Sequence, residues 1–126
     1  MPEEKILVVE DTPLNMELFR DLLEVAGYVI DEATDAQQAI ERARQEKFDL
    51  ILMDIQLPGM DGLAATKIIK EESANKDTPI VALTAYAMKG DQEKIGAAGC
   101  NGYITKPINA KEFAQTVAEF LGTRKL

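Results

Sequence analysis

The sequence has no histidine, no tryptophan and a single cysteine, Cys100. These absences remove thiol–imidazole catalysis, zinc sites of the His/Cys type and any disulfide within one chain. Cys100 is expected to be a small apolar filler, the commoner role of a lone structural cysteine. Positive charge is also scarce, with 14 Lys and Arg against 22 Asp and Glu and a net charge of −8. Such a balance opposes direct binding to nucleic-acid phosphates or anionic lipid. Long apolar runs are missing as well, since none approaches the ~20 residues a membrane-spanning helix needs. The opening MPEE is acidic where a secretory signal would be basic. A cytoplasmic protein without nucleic-acid or membrane partners is expected. At 126 residues and 46% hydrophobic content, one core and one domain spanning 1–126 are expected.

What the chain does have is a set of short aliphatic runs that end on polar residues. Residues 50–53, LILM, read as a strand buried on both faces, and the run ends on Asp54 before Leu57, Pro58 and Gly59 stop it. Residues 5–9, KILVV, form a similar run and end on Glu10 and Asp11. A third run, PIVAL at 79–83, ends on Thr84, and GYIT at 102–105 ends on Lys106 and Pro107. Residues 28–32 alternate apolar and polar, which suggests an edge strand with one wetter side.

Helical patterns separate these strands. Thr12 and Pro13 offer an N-cap and a first-turn proline ahead of Leu18, Phe19, Leu22, Leu23 and Ala26. Asp35 is placed to cap a helix with Ala36, Ala39, Ile40 and Ala43 on one face. Residues 63–72 carry Ala65, Ile68 and Ile69 inward. The pattern at 87–98, with Met88, Ile95 and Ala98, is weakened by Gly90 and Gly96, each costing ~1 kcal/mol relative to alanine; it is expected to be the loosest helix. Asn109 and Glu112 suggest a capping box before Phe113, Val117, Phe120 and Leu121.

Strand followed by helix, five times over with short connections, predicts parallel strands and right-handed crossovers. The expected architecture is an α/β doubly wound five-stranded parallel sheet with helices on both faces. Parallel strands expose their C-terminal ends on one edge, so Glu10, Asp11, Asp54, Thr84 and Lys106 should converge there. Singly, each is more often a cap or a solvated residue. Together they are three acids, a hydroxyl and an amine, and clustered acids of this kind call for a hard cation such as Mg²⁺. Lys106 and Thr84 would complete a cradle for a phosphoryl group, and a carboxylate in such a cradle can be the nucleophile. Tyr103 reads from the pattern alone as a core or half-buried aromatic.

Taken in order, the motifs VVED at 8–11, DLILMD at 49–54 with LPGMDG at 57–62, IVALTA at 80–85 and YITKP at 103–107 resemble the CheY-like receiver domain of bacterial two-component response regulators. The resemblance covers essentially the whole chain. Through LMDIQL at 52–57 and AYAMKG at 85–90 it is strongest to stand-alone receivers of the DivK type. It implies a flavodoxin-like sheet of strand order 2-1-3-4-5. It further implies that Asp54 accepts a phosphoryl group from a phosphohistidine on a sensor histidine kinase or histidine phosphotransfer protein. Asp11 and Asp54 would ligate Mg²⁺, with Mn²⁺ an alternative, helped by the Gln56 carbonyl and by Glu10 through water. Thr84 and Lys106, with the backbone N–H groups of Ile55 and Ala85, would hold the phosphoryl oxygens. Thr84 and Tyr103 would be the switch residues, passing the change to a downstream protein effector. A cis bond between Lys106 and Pro107 is implied too. The implied protein is a signalling domain, monomeric or weakly dimeric on phosphorylation, that catalyses its own phosphorylation and slow autodephosphorylation.

Three other readings are weaker. Haloacid-dehalogenase-like phosphotransferases need a second acid two positions after the strand-end aspartate, where this chain has Gln56. Phosphate-loop or Rossmann nucleotide binding needs glycines after the first strand, and EDTP at 10–13 supplies none. A receiver-like module that works unphosphorylated would not need the intact acid set. One departure from many relatives is Thr12, where asparagine is common; this touches a helix cap only.

Overall fold

In the computed structural model, which describes residues 4–85 and 89–125, ten elements alternate along the chain. These are β1 (Lys5–Val9), α1 (Pro13–Val25), β2 (Val29–Ala33), α2 (Ala36–Gln45), β3 (Leu50–Asp54), α3 (Gly62–Glu72), β4 (Ile80–Thr84), α4 (Lys89–Ala97), β5 (Gly102–Thr105) and α5 (Ala110–Lys125). The strands form one sheet in the order β2-β1-β3-β4-β5, and every pairing is parallel. Both the doubly wound class and the strand order agree with expectation.

Alternation along the central strands explains why they are apolar throughout. Leu7 and Val9 of β1, with Ile51 and Met53 of β3, face a core closed by Ala36, Ala39, Ile40 and Ala43 of α2 and by Ala65 and Ile69 of α3. Ile6, Val8, Leu50 and Leu52 face the other way, against Met16, Phe19 and Leu23 of α1 and Phe113, Val117 and Leu121 of α5. Truncating any of these strand residues to alanine would cost roughly 2–5 kcal/mol, because both walls are rigid. Phe19 and Phe113 stack at a centroid distance of 5.4 Å and join α1 to α5. The edge position of β2 follows its composition, since only Ala33 of that strand is buried.

Several local expectations change. Leu18 and Ala26 do not share the inward face of α1; Leu18 is 41% exposed and the buried stripe is Met16, Phe19 and Leu23. Thr12 occupies the N-cap position without a side-chain cap bond. Asp35 does cap α2, accepting from Gln38 N–H at 2.8 Å. At α3 the cap is Asp61, which accepts from Ala64 N–H at 2.8 Å. Asn109 accepts from Lys111 N–H at 2.9 Å at the start of α5. The helix expected from 87 is described from Lys89, and Met88 lies outside the described residues. Ile95 is the one buried residue of α4, which packs against β5. Cys100 is half-buried against the α2–α3 core, as a filler would be.

Candidate functional site

Each strand delivers its last residues to the same edge. β1 runs into Glu10 and Asp11, β3 ends on Asp54, β4 ends on Thr84, and Lys106 follows β5. Register ties them together, because Asp54 lies beside Leu83 and Thr84 beside Thr105. Lys106 is held there by its own N–H, which donates to Thr84 O at 2.7 Å, and the Lys106–Pro107 peptide is cis. The cis bond agrees with the expectation.

Lys106 Nζ reaches Asp54 Oδ2 at 2.9 Å and Glu10 Oε1 at 3.0 Å. Glu10 and Asp54 are buried, whereas Asp11 is exposed. The other oxygens are also engaged: Thr12 N–H donates to Glu10 Oε2 at 3.1 Å, and Gln56 N–H donates to Asp54 Oδ1 at 2.9 Å. Thr84 is buried at the end of β4 and Ala85 is exposed beyond it.

Charge does not balance in this cleft. One carboxylate oxygen each from Glu10, Asp11 and Asp54 lie within 4.8 Å of one another. Burial pushes the Glu10 carboxyl above its ordinary value, against the opposing hydrogen bond from Lys106. Lys106 is raised even though burial disfavours its charge, because the hydrogen bonds to Asp54 and Glu10 outweigh that penalty. Three acids facing a single ammonium leave an excess of negative charge, and every donor atom is a hard oxygen. This set fits a small dication such as Mg²⁺.

One expected donor is directed elsewhere. The Ile55 N–H, expected among the phosphoryl donors, instead donates to Leu83 O at 3.2 Å and prolongs the β3–β4 ladder. The N–H directed at Asp54 belongs to Gln56, one residue on. Pleat alternation could have flagged it, since successive N–H groups at a strand end point to opposite sides. Tyr103 is 36% exposed on β5, while Ile104 beside it packs into the α1–α5 core. Tyr103 is thus a partly buried aromatic at the surface of β5 and not a core residue.

A sheet of this order with an acidic, lysine-bridged aspartate at its switch edge defines a phospho-accepting α/β receiver. The response regulator receiver domain family matches residues 6–118, and the chain belongs to it. Members are the phosphoacceptor switches of two-component systems. The chain is 46% identical over 122 residues to the polar-differentiation response regulator DivK of Brucella anthropi, covering 97% of this chain and 98% of that protein. DivK of Brucella ovis is likewise 46% identical over 117 residues, covering 93% and 95%. Among solved structures, chemotaxis protein CheY4 of Vibrio cholerae matches with a TM-score of 0.90 at 28% identity, covering 94% of this chain and 99% of that one. The receiver domain of a sensor histidine kinase from Pseudomonas aeruginosa PAO1 matches at 36% identity and a TM-score of 0.86, covering 96% and 99%. That structure has a magnesium ion coordinated in its active site cleft. No helix among the described residues is long and apolar enough to cross a membrane.

Proposed function

We propose that the whole chain is one receiver unit in which Asp54 accepts a phosphoryl group from a phosphohistidine on a partner kinase or histidine phosphotransfer protein. The observation that carries this reading is the Asp54 carboxylate, buried yet held at both oxygens, by Lys106 and by the Gln56 N–H. The chain contains no histidine, so the donor imidazole comes from outside the receiver sequence. An Asp54 oxygen attacks phosphorus, the P–N bond breaks, and the bond electrons leave with the imidazole, which takes up a proton.

Asp11, Asp54 and the Gln56 carbonyl would hold Mg²⁺, with Glu10 acting through water. Bound there, the ion neutralises the acids and draws charge from the phosphoryl oxygens. The chain's own groups do the positioning. Lys106 has three N–H donors, of which Glu10 and Asp54 engage two, and the third can meet an incoming phosphoryl oxygen. The Thr84 hydroxyl and the Ala85 N–H approach from β4, and the Gln56 N–H replaces Ile55 as the donor on the β3 side. A cleft of about 290 Å³ between Leu18 and Phe19 of α1 and Pro107 and Ile108 opens beside Lys106. With Leu14 of α1 78% exposed nearby in sequence, this side suits docking of the histidine-bearing partner.

Output follows from the same geometry. A phosphoryl group on Asp54 draws Thr84 toward it, Tyr103 turns inward, and α4, which buries Ile95 alone, is repositioned for a downstream protein effector. Hydrolysis of the aspartyl phosphate, slow and catalysed by the chain, resets the switch. Incubation with a small phosphodonor and Mg²⁺ should add one phosphoryl mass to the wild type and none to Asp54→Asn. An equal addition to the variant would overturn the assignment.

A further inference from the structure

Both oxygens of Asp54 are fixed, and one of them depends on the peptide that carries the Gln56 N–H. What holds that peptide lies behind the site, at the first residue of α3. A Cβ on Gly62 would stand 2.2 Å from Asp54 O, 2.7 Å from Ile55 Cα and 2.9 Å from Asp54 C. All three are main-chain atoms, which cannot swing aside as a side-chain tip can. The positive-φ glycines are Gly27, Gly59 and Gly99, so Gly62 is required by close approach and not by backbone conformation. Its N–H donates to Ile55 O at 3.2 Å, and its own carbonyl accepts from the buried Thr66 hydroxyl at 2.8 Å. Ile55 is therefore clamped on both sides, its N–H by Leu83 and its carbonyl by Gly62.

We propose that Gly62 is a positioning residue for the chemistry of Asp54: its missing side chain lets α3 seat on the main chain of Asp54 and Ile55, and this contact holds the Gln56 peptide against the carboxylate. A methyl group here forces α3 and the end of β3 apart by on the order of 1 Å, a misplacement that can cost on the order of 100-fold in a positioned reaction. The proposal rests on Asp54 being the phosphoacceptor and adds what keeps it aimed.

Gly102 supplies the control. A Cβ there would meet the Phe120 ring at 2.5 Å, at the end of β5 away from Lys106. Gly62→Ala and Gly102→Ala should both lower the melting temperature. Only Gly62→Ala should speed hydrogen exchange of the Gln56 amide in metal-free protein. Calorimetric titration should show its Mg²⁺ affinity reduced about tenfold, the usual effect of disturbing a group behind a ligand. Its phosphorylation by a small phosphodonor at saturating Mg²⁺ should slow by on the order of 100-fold. Should Gly62→Ala fail to fold, Thr66→Val keeps the side-chain shape, removes the hydroxyl bond to Gly62 together with the long 3.9 Å contact from Cys100 Sγ, and should raise Gln56 exchange in the same direction. Gln56 exchange and Mg²⁺ affinity left at wild-type values in the folded variant would overturn the proposal. A wild type that takes no phosphoryl group on Asp54 would instead overturn the functional reading, and the metal-free exchange comparison would still decide the role of Gly62.

Discussion

Two partly buried lysines stand at opposite edges of the sheet, and their surroundings differ in kind. Lys106, at the carboxyl edge, is bonded to the charged oxygens of Glu10 and Asp54. Lys70, at the amino edge, donates to Thr78 O at 2.6 Å and lies 3.4 Å from Lys76 O and 3.3 Å from Asn101 Oδ1, all uncharged. Near Lys70 the buried Asn75 accepts from Phe48 N–H and from the Thr78 hydroxyl, and donates to Ala43 O and Glu46 O. Around Asn75 the amino edge is thus a network of uncharged groups whose donors and acceptors pair with one another. The carboxyl edge keeps an excess of acid that only a cation from outside relieves. One edge holds the fold together, and the other is left electrostatically incomplete so that a ligand can complete it.

The largest effect should come from breaking the complete edge. Asn75→Ala strands several buried donors and acceptors, each worth about 1–3 kcal/mol when unsatisfied. A loss of roughly 3 kcal/mol or more is expected in urea unfolding, with Mg²⁺ affinity of the folded protein unchanged. A matching fall in metal affinity would show that the two edges are not independent.

Next in size is the response of the incomplete edge to its missing cation. Mg²⁺ at 100 times its dissociation constant should stabilise the wild type by about 2.7 kcal/mol, because it binds only the folded acids. Asp11→Ala should reduce Mg²⁺ affinity by about tenfold and, at the same Mg²⁺ concentration, remove about half of that gain. In metal-free buffer the same variant should melt slightly higher than wild type, since an acid facing Glu10 and Asp54 has been removed. Unchanged titration curves would reduce Asp11 to a solvated strand-end residue.

How far the sequence disclosed this asymmetry depended on the kind of signal. Strand-end acids were legible because unbroken apolar runs end abruptly and parallel topology carries their ends to one edge. The neutral network was not, because Asn75 and Thr78 sit in a polar turn whose composition looks like any solvated loop. Helix α1 shows another limit: Leu14, Leu18, Leu22, Leu23 and Val25 offer more apolar residues than one face can bury, so periodicity alone could not decide between Leu18 and Met16. Asp61 was hidden within a glycine-rich loop as a cap for α3. The exchange of Ile55 for Gln56 as the donor at Asp54 was legible only through the pleat of β3, since residue identity alone does not give a peptide's orientation.

The smallest expected effect is also the one that tests the comparison most directly, since it asks the two lysines to respond to alkali with opposite sign. Burial pushes the Lys70 ammonium below its ordinary value of 10.5, and the nearby Cys100 and Asp77 offset this only in part. The folded state then gives up that proton before the unfolded chain does. Between the lowered folded value and 10.5 the unfolded state binds more protons, so the contribution of Lys70 to stability rises with pH across that window. Lys106 is the reverse case, held above 10.5 by Asp54 and Glu10 despite its burial. Its contribution is fully present below 10.5 and is lost as pH climbs through the raised folded value. Groups that do not interact with either lysine cancel when each variant is compared with wild type. Melting temperatures of metal-free wild type, Lys70→Met and Lys106→Met from pH 8 upward should therefore diverge in opposite senses. The advantage of Lys70→Met should shrink as pH approaches 10.5, and the deficit of Lys106→Met should shrink only above it. Parallel curves for the two variants would mean that charged and uncharged oxygens treat a half-buried ammonium alike, and the contrast between the two edges would fail.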